Sequence, residues 1–249
     1  MLKQIHRALV RNSFTRRHEW RLVCSMKRLL DAPDAYVDLM SIVRTRHPVA
    51  ILDLGAFHGN TVARFLDECS IPIHAFEPTP ASAEFIRQRF AGVRQVRVHE
   101  AALSDRLGVA TFHENQNPQT NSLLDNDRGN VEAFSCSTRP VGTYEVKTIT
   151  LDGWLAENIP EGPVVIKSDI QGAEGLLVDG GKDAFRERVI AFYSEAQIGA
   201  MYAGQMDFWT LHKRLTTEFG FRLSQIYPCL CNENGEAVQT DVLWIKPAG

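Results

Sequence analysis

The sequence predicts an α/β fold, a doubly wound and mostly parallel sheet with helices on both faces. Three observations favour this fold. Short apolar runs alternate with segments of helical spacing from residue 49 to residue 219. The first run passes through a glycine-punctuated turn into a helix, and the second ends in an acidic residue followed by proline. Near the C-terminus, two apolar stretches flank a turn-prone segment, which predicts a closing antiparallel pair of strands.

The length and composition suit one such domain with a short extension. At 249 residues, of which 44% are hydrophobic, the chain can bury a large core. We divide it into a basic, helical N-terminal extension, residues 1–47, and a main domain, residues 48–249. No segment has the uncharged apolar length that a transmembrane helix needs. The five cysteines are odd in number and scattered, which argues against structural zinc and favours a reducing cytoplasm.

Residues 1–30 carry an uneven share of the charge. They contain eight basic side chains and a single acid, Glu19, a net charge of +7 that leaves −10 on the rest of the chain. Such an arm suits a membrane-surface helix, a contact for an anionic glycan or nucleotide, a transit peptide, or a solvated helix lying against the domain. We predict a cytoplasmic protein without a nucleic-acid partner, and peripheral membrane contact through the arm is the alternative.

The secondary structure follows in order along the chain. Asp34 is expected to cap a helix that ends at His47-Pro48. Strands are predicted at Val49–Leu54, Ile71–Phe76, Val93–His99, Pro163–Asp169 and Val189–Ser194, with helices at Pro80–Phe90 and on the face Phe208, Leu211, Leu215 and Phe219. Between the third and fourth strands lie two short pieces, Val109–His113 and Tyr144–Thr150, and a long polar loop, Glu114–Arg139, of the kind that is usually functional or mobile. The closing pair is predicted at Phe221–Tyr227 and Asp241–Lys246.

The glycine turn after the first strand predicts a nucleotide site. Gly55 permits a sharp turn, and Gly59 is expected to let a ligand approach the chain where a Cβ atom would block it. The spacing is Asp-x-Gly-x-x-x-Gly, counted from Asp53, and not the Gly-x-Gly-x-x-Gly of most dinucleotide folds. This spacing favours S-adenosylmethionine, which has no pyrophosphate to seat on the helix, over NAD.

The acidic residue after the second strand supports an adenosine site. Glu77 lies 24 residues beyond Asp53, close to the spacing expected of a carboxylate that accepts the ribose hydroxyls. A carboxylate offers only acceptors, which suits a diol. NAD sites also bind the ribose with a carboxylate, so Glu77 indicates an adenosine ribose but does not identify the cofactor. The alternative is a solvated acid in an ordinary α/β turn.

Further charged residues surround the fourth strand. Lys167 and Asp169 alternate along it and share one face, so both are expected at its carboxyl end, beside the glycine turn. Glu174, from the following helical turn, and Glu195, after the fifth strand, are expected at the same rim. Convergent ionisable groups favour a catalytic site. The alternative is an ion pair between Lys167 and Asp169 that only closes the sheet.

Taken together, these motifs resemble those of the FkbM family of S-adenosylmethionine-dependent methyltransferases. The resemblance rests on residues 53–59, 76–78, 101–105, 150–152, 167–174 and 202–205, and the Asp-Ile-Gln-Gly-Ala-Glu run at 169–174 is the most specific part. It implies a class I methyltransferase, or Rossmann-like, fold and O-methylation of a hydroxyl, commonly on a sugar, a glycan or a secondary metabolite. Two positions depart from the family pattern, since Phe57 stands where members often have Asn and Gln171 where many have Glu.

A mechanistic hypothesis assigns roles to these residues. The expected cofactor-binding residues are Asp53, Gly55, Ala56, Phe57, Gly59, Thr61, Glu77, Pro78, Ala101 and Ala102. Methyl transfer is an in-line displacement that depends on positioning and on removal of the hydroxyl proton. Asp169 is the first candidate for the base, Glu195 and Glu174 follow, and Lys167 is expected to hold the carboxylates in place.

The acceptor is expected to lie under two polar segments, Asn115–Leu124 and Gly199–Gln205. Amides and an aromatic ring suit the hydroxyls and C–H faces of a sugar, and the candidate acceptor-binding residues are Asn121, Ser122, Gln171, Tyr202 and Gln205. A divalent cation, Mg²⁺ or Ca²⁺, that bridges Asp169 and Glu195 is an alternative that we do not expect.

Two other functions share parts of this pattern. An NAD-dependent oxidoreductase would have the same sheet and the same Glu77, but it needs a Tyr-Lys or Cys-His arrangement near the cofactor, and none is evident in the sequence. A non-catalytic adenosylmethionine-binding module would keep the cofactor residues without an active acceptor site.

Overall fold

The computed structural model describes residues 34–127 and 138–248. The strands are β1 (Ala50–Leu54), β2 (Ile73–Phe76), β3 (Val96–His99), β4 (Ala102–Leu103), β5 (Gly108–Asn115), β6 (Pro140–Ile149), β7 (Val164–Ser168), β8 (Val189–Gln197), β9 (Arg222–Ile226), β10 (Leu230–Cys231) and β11 (Ala237–Ile245). The helices are α1 (Ala35–Arg46), α2 (Asn60–Glu68), α3 (Pro80–Arg89), α4 (Leu151–Asn158), α5 (Glu174–Asp179), α6 (Lys182–Glu187) and α7 (Phe208–Thr217), and a 3₁₀ turn spans Pro118–Thr120. The basic arm, residues 1–30, lies outside the described residues.

The main sheet has the spatial order β3-β2-β1-β7-β8-β11, with β9 and β10 paired to β11. The five strands from β3 to β8 are parallel, and β11 runs antiparallel to β8. The strand order reverses between the neighbours β1 and β7, and open α/β sheets bind their ligands at such a switch point. The predicted doubly wound, mostly parallel sheet with an antiparallel C-terminal strand is confirmed.

Helices cover both faces of this sheet, which explains its uninterrupted apolar runs. Every residue of β1, β2 and β7 is buried. One face packs on α1, α2 and α3, through residues such as Leu39, Phe65 and Ile86. The other face packs on α4 to α7, through residues such as Leu155 and Leu211. A parallel strand buried on both sides needs apolar residues throughout, so a charged side chain within one must have a specific partner.

Helix α1 belongs to the same core. Asp34 accepts hydrogen bonds from the N–H groups of Tyr36 and Val37, and His47 ends the helix with a φ of 49°, as predicted. The described end of the predicted extension is therefore continuous with the core, and the domain boundary after residue 47 stays a prediction. Across residues 34–127 and 138–248, no helix combines the length and apolarity needed to cross a membrane. The cytoplasmic location also stays a prediction.

A small second sheet, which the sequence pattern does not predict, has the order β4-β6-β5. β5 and β6 form an antiparallel pair and are longer than the two short pieces expected there, and Ala102 and Leu103 of β4 pair in parallel with β6. Most side chains of β5 and β6 are at least partly exposed, so their hydrophobic pattern is weak. β8 is also longer than predicted, and Glu195 lies within it, opposite Asp241 of β11, rather than after its end.

Candidate active site

A cleft lies at the carboxyl ends of β1, β2 and β7, and its space, counted together with the part open to solvent, is about 680 Å³. We group its lining residues by the two carboxylates, and the group around Glu77, called the Glu77 half, is Gly55, Phe57, Phe76, Glu77, Pro78, Thr79, Ala101, Ala102, Leu103 and Phe112. The group around Asp169, called the Asp169 half, is Pro118, Gln119, Asn121, Leu123, Asp169, Ile170, Gln171 and Ala173. The predicted location of the site, at the carboxyl edge of the sheet, therefore coincides with a cleft.

Gly55 lies where the two halves meet. Its φ is 72°, and a Cβ atom there would lie 1.9 Å from the backbone carbonyl oxygen of Asp169. The N–H groups of Gly55 and Ala56 both donate to the carbonyl oxygen of Phe76, at 3.0 and 3.1 Å. Because no side chain fits at this point, only glycine lets the end of β1 approach the end of β7.

Glu77 is 5% exposed and is held by the backbone. Its Oε2 accepts the N–H of Phe57 at 2.8 Å, and its Oε1 accepts the N–H of Thr79 at 2.9 Å. Burial raises the pKa of the Glu77 carboxyl group, and these hydrogen bonds oppose the rise. Each oxygen keeps a further lone pair, so the carboxylate can accept both hydroxyls of a ribose. The bond to Phe57 also helps to hold that residue at a φ of 48°.

Apolar groups form the remaining wall of the Glu77 half. Pro78, Ala101 and Ala102 line it, and Phe112 of β5 adds an aromatic ring that the sequence analysis missed. Apolar side chains beside a carboxylate suit adenosine, which has an apolar base face and a ribose diol. The residues present therefore fit the adenosine portion of S-adenosylmethionine.

Three residues expected to contact the cofactor do not line the cleft. Ala56 is buried, and the hydroxyl of Thr61 lies 3.2 Å from the hydroxyl of Tyr36 on α1. Gly59 has a φ of 70°, but a Cβ atom there would lie 2.6 Å from the ring of Phe90. The glycine at this position thus allows the chain to pack against Phe90, and the expectation that it admits a ligand is wrong.

Asp53 also lies beneath the cleft rather than in it. It is 0% exposed, and its Oδ1 lies 3.2 Å from Nζ of Lys167. Burial raises the pKa of Asp53, and the positive charge of Lys167 opposes the rise. Burial would lower the pKa of Lys167, but attraction by Asp53 and Asp169 outweighs it, so this pKa lies above its ordinary value. Any influence of Asp53 on a ligand therefore passes through Lys167.

Asp169 presents a carboxylate to the cleft. Its side chain is 43% exposed, and its Oδ2 lies 3.8 Å from Nζ of Lys167. Its Oδ1 accepts a hydrogen bond from Nε2 of Gln171 at 2.6 Å. The same Nε2 donates to Oε1 of Glu195 at 3.2 Å, and Oε1 of Gln171 accepts the hydroxyl of Tyr202 at 2.6 Å. Of the four charged residues expected at one rim, Asp169 and Lys167 lie close together and Gln171 joins Asp169 to Glu195, but only Asp169 lines the cleft, together with Gln171.

Glu195 lies off the cleft within a group of amides. Besides the bond from Gln171, its Oε1 accepts from Nε2 of Gln197 at 2.8 Å and its Oε2 from Nε2 of Gln239 at 2.6 Å. Burial, followed by the negative charge of Asp169 and other carboxylates, raises the pKa of Glu195 well above its ordinary range. The sequence analysis missed both of these glutamines, because they reach Glu195 only once β8 and β11 pair.

Glu174 lies beneath the cleft rather than at its rim, where the sequence analysis expects it. It is 2% exposed, and its Oε1 accepts the N–H of Ile170 at 3.3 Å and the hydroxyl of Ser168 at 3.5 Å. Burial raises the pKa of Glu174 to about 7. The side chain turns back because Glu174 is the first residue of α5 and closes the turn that precedes the helix.

The candidate acceptor-binding residues fall into two groups. Gln171 and Asn121 line the cleft. Ser122 instead donates to the carbonyl oxygen of Gln171 at 2.7 Å, and Tyr202 is 2% exposed. Oε1 of Gln205 accepts the N–H groups of Met201 and Tyr202, and its Nε2 donates to the carbonyl oxygen of Gly199. In this structure Ser122, Tyr202 and Gln205 hold the loops together rather than face the cleft.

The two segments expected to cover the acceptor are bonded to each other. The N–H of Ala203 donates to the carbonyl oxygen of Asp125 at 2.8 Å, and the N–H of Asp127 donates to that of Met201 at 3.1 Å. The described part of the polar loop is therefore bonded to the segment Gly199–Gln205 and forms one wall of the cleft. Gln119, which the sequence analysis missed, lines the cleft from this wall.

A metal site is not evident in the part of the chain that the structure describes. Within it, no group of three or more His, Cys, Asp or Glu side chains is arranged to hold an ion. The amide nitrogen of Gln171 lies between Asp169 and Glu195, where the alternative hypothesis would put a divalent cation.

The strand order and a cleft that fits adenosine are those expected of a class I methyltransferase that depends on S-adenosylmethionine. The family model described as Methyltransferase FkbM domain matches residues 53–223. The chain belongs to the FkbM methyltransferase family. It is thus neither the NAD-dependent oxidoreductase nor the non-catalytic module that the sequence pattern leaves open.

Several individual proteins are similar to this chain. The 2-O-methyltransferase NoeI of Sinorhizobium fredii (strain NBRC 101917 / NGR234) is 29% identical over 176 residues, which cover 68% of this chain and 71% of that protein. Solved structures with a similar fold include the precorrin-6y C5,15-methyltransferase of Geobacter metallireducens, with a TM-score of 0.42, 12% identity, and coverage of 85% of this chain and 87% of that one. The methyltransferase domain of bacterial CtHen1-C has a TM-score of 0.45 and 10% identity, and covers 85% of this chain and 96% of that one. Because both TM-scores are below 0.5, the fold assignment rests on the strand order and on the family.

Proposed function

We propose that this enzyme transfers a methyl group from S-adenosylmethionine to a hydroxyl group of a sugar, a glycan or a secondary metabolite. The observation that carries the proposal is the exposed Asp169 carboxylate, in the same cleft as Glu77. The name of the S. fredii relative, a 2-O-methyltransferase, supports an oxygen nucleophile in the acceptor.

The proposed cofactor site is the Glu77 half. Glu77 would accept the ribose hydroxyls, and Pro78, Ala101 and Ala102 would flank the adenine. The turn at Gly55 joins this half to Asp169, so the methionine portion is assigned to the turn. When bound, the cofactor supplies a methyl group on a sulfonium centre, whose leaving group is a neutral thioether and needs no acid.

The proposed work of the Asp169 half is to position the acceptor hydroxyl and take its proton. Lys167 and Gln171 hold the carboxylate of Asp169, and its exposed edge remains available to a hydroxyl. A positioned base of this kind typically contributes roughly 10²–10⁴-fold to the rate. Glu195 and Glu174 rank behind Asp169 as bases because neither lines the cleft.

The substitution Asp169→Asn tests the proposal. We expect the rate of methyl transfer to fall by roughly 10²–10⁴-fold, while the Kd for S-adenosylhomocysteine, measured by calorimetry, changes by less than about threefold. Asp183→Asn, at an exposed position on α6, is the matched control and should leave both unchanged. Labelled cofactor, a panel of mono- and oligosaccharides and mass spectrometry supply the assay. Wild-type turnover in Asp169→Asn would remove Asp169 from the mechanism.

The role of the basic arm requires a separate experiment. Deletion of residues 1–30 should abolish binding to vesicles that contain anionic lipids if the arm contacts a membrane, because it carries a net charge of +7. Equal vesicle binding by the full chain and the deletion variant would exclude that contact.

A further inference from the structure

Gln171 lies between two carboxylates and a phenol. Its Nε2 is 2.6 Å from Oδ1 of Asp169 and 3.2 Å from Oε1 of Glu195. A side-chain amide has two N–H groups, so Gln171 can donate to both carboxylates at once. Neither hydrogen is then left for an acceptor hydroxyl, which argues against a donor role toward the substrate.

Tyr202 determines which way this amide points. Its hydroxyl lies 2.6 Å from Oε1 of Gln171, and the carbonyl oxygen of Thr120, at 3.2 Å, is a more distant acceptor. Burial, together with the charges of Glu195 and Asp169, raises the pKa of Tyr202, so its hydroxyl stays protonated and donates. Because the phenol is the donor to the amide oxygen, the NH₂ group must face the two carboxylates.

The backbone of Gln171 is held as firmly as its side chain. Its φ is 55°, a left-handed conformation that costs a non-glycine residue about 1–2 kcal/mol. Ser122 donates to its carbonyl oxygen at 2.7 Å. The following residue is Gly172, where a Cβ atom would lie 2.7 Å from the ring of Tyr202. Strain that the surroundings maintain in this way is typical of functional sites.

Negative groups predominate around the amide. The titratable groups of the packed elements are Asp53 on β1, Lys167 and Asp169 at the end of β7, Glu174 on α5, Tyr193 and Glu195 on β8, Asp241 on β11, Tyr36 on α1 and Tyr202. Among these groups Lys167 alone is a cation, and its Nζ pairs with Asp53 and Asp169. Without a donor between them, the carboxylates of Asp169 and Glu195 would repel each other.

We propose that Gln171 is a positioning residue for methyl transfer, whose amide bridges Asp169 and Glu195 and so holds the Asp169 carboxylate in place for the acceptor hydroxyl. The inference rests on the proposed function of Asp169. It replaces the role in acceptor binding that the sequence suggested for Gln171.

Two substitutions distinguish the loss of the amide bridge between Asp169 and Glu195 from a loss of folding. Gln171→Asn keeps an amide and tolerates a left-handed φ, but it is one methylene too short to reach both carboxylates. Gln171→Glu keeps the length and replaces the donor by a third carboxylate. The same two changes at Gln88, which is exposed on α3, are the matched controls.

We expect both Gln171 variants to lower kcat by about tenfold or more, while the KM for S-adenosylmethionine and the Kd for S-adenosylhomocysteine stay within about threefold. Gln171→Glu should also move the acidic limb of the pH–kcat profile to higher pH, because a third carboxyl group makes the cluster harder to ionise. The Gln88 variants should match the wild type. Wild-type kcat in Gln171→Asn, or an equal loss of kcat and of cofactor affinity in both variants, would overturn the inference.

A carboxyl ¹³C NMR titration separates this inference from the proposed function, since it needs no acceptor. We expect Gln171→Glu to raise the titration midpoint of Glu195. If the titration midpoint of Glu195 does not move, the proposed role of Gln171 is wrong, even if the enzyme methylates sugars. If the midpoint moves but the wild-type enzyme methylates no alcohol, the bridge stands and the proposed function fails.

Discussion

The two halves of the cleft are built by different means. In the Glu77 half, backbone N–H groups of Phe57 and Thr79 hold the carboxylate. In the Asp169 half, the side chains of Lys167 and Gln171 hold the carboxylate, and both have further partners. Backbone donors persist when side chains change, whereas a side-chain network fails with any of its members. The proposed acceptor site should therefore be easier to alter than the proposed cofactor site.

The largest effect is expected where the halves meet. Gly55→Ala adds a Cβ atom 1.9 Å from the carbonyl oxygen of Asp169, at a φ of 72°. The turn has to open, so methyl transfer and S-adenosylhomocysteine binding should be lost together in activity assays and calorimetry. Gly220→Ala is the matched control, because φ is also 72° but nothing lies within 4 Å of the added atom. Gly220→Ala should lower the free energy of unfolding only by the backbone strain, about 1–2 kcal/mol. If Gly55→Ala still binds S-adenosylhomocysteine, the two halves do not depend on this turn.

The next largest effect is expected from Glu77→Gln. An amide places its NH₂ group against the N–H of Phe57 or of Thr79, two donors that the carboxylate accepts in the wild type. The Kd for S-adenosylhomocysteine should rise by roughly 10–100-fold, or about 1.4–2.7 kcal/mol, with a much smaller change in kcat at saturating cofactor. The opposite pattern, a lower kcat at unchanged affinity, would reverse the assignment of the two halves.

A smaller effect of pH on stability is expected beneath the Asp169 half. The pKa of Glu174 is raised to about 7 by burial, so the folded state binds a proton that the unfolded state releases. This contribution to the free energy of unfolding is lost as pH rises through 7, by about 1 kcal/mol between pH 6 and pH 8. Urea unfolding at both pH values should show a larger loss in the wild type than in Glu174→Gln, and the difference is the contribution of Glu174. Equal pH dependence in the two proteins would contradict the prediction.

The smallest effect is expected from Tyr202→Phe. The substitution removes the donor to Oε1 of Gln171, and a hydrogen bond of this kind contributes about 0.5–1.5 kcal/mol. We expect kcat to fall by roughly two- to tenfold and cofactor affinity to stay unchanged. A loss of cofactor affinity instead would mean that the two halves are not independent.

The sequence predicts the Glu77 half better than the Asp169 half, because the contacts of the Asp169 half join residues that are far apart in the sequence. The main sheet and Glu77 follow from local patterns, a strand, a turn and a helix start within a few residues. The contacts of Ser122 and Tyr202 with Gln171 span 49 and 31 residues, and no periodicity encodes them. Gly59 shows a related limit, since a glycine needed for packing on Phe90 looks the same in sequence as one needed for a ligand.

The small second sheet spans both halves. β4 supplies Ala102 and Leu103 to the Glu77 half, β5 leads directly to Pro118–Thr120 in the Asp169 half, and both strands pair with β6. The described residues 116–127 that follow β5 therefore contribute to the Asp169 half, while β4 and β6 stay paired beside the Glu77 half. A graft from another member of the family that keeps the β4–β6 register should change which alcohol is admitted and leave the adenine wall intact. If the two proposed sites are separate in this way, such a graft changes the acceptor without changing the cofactor site.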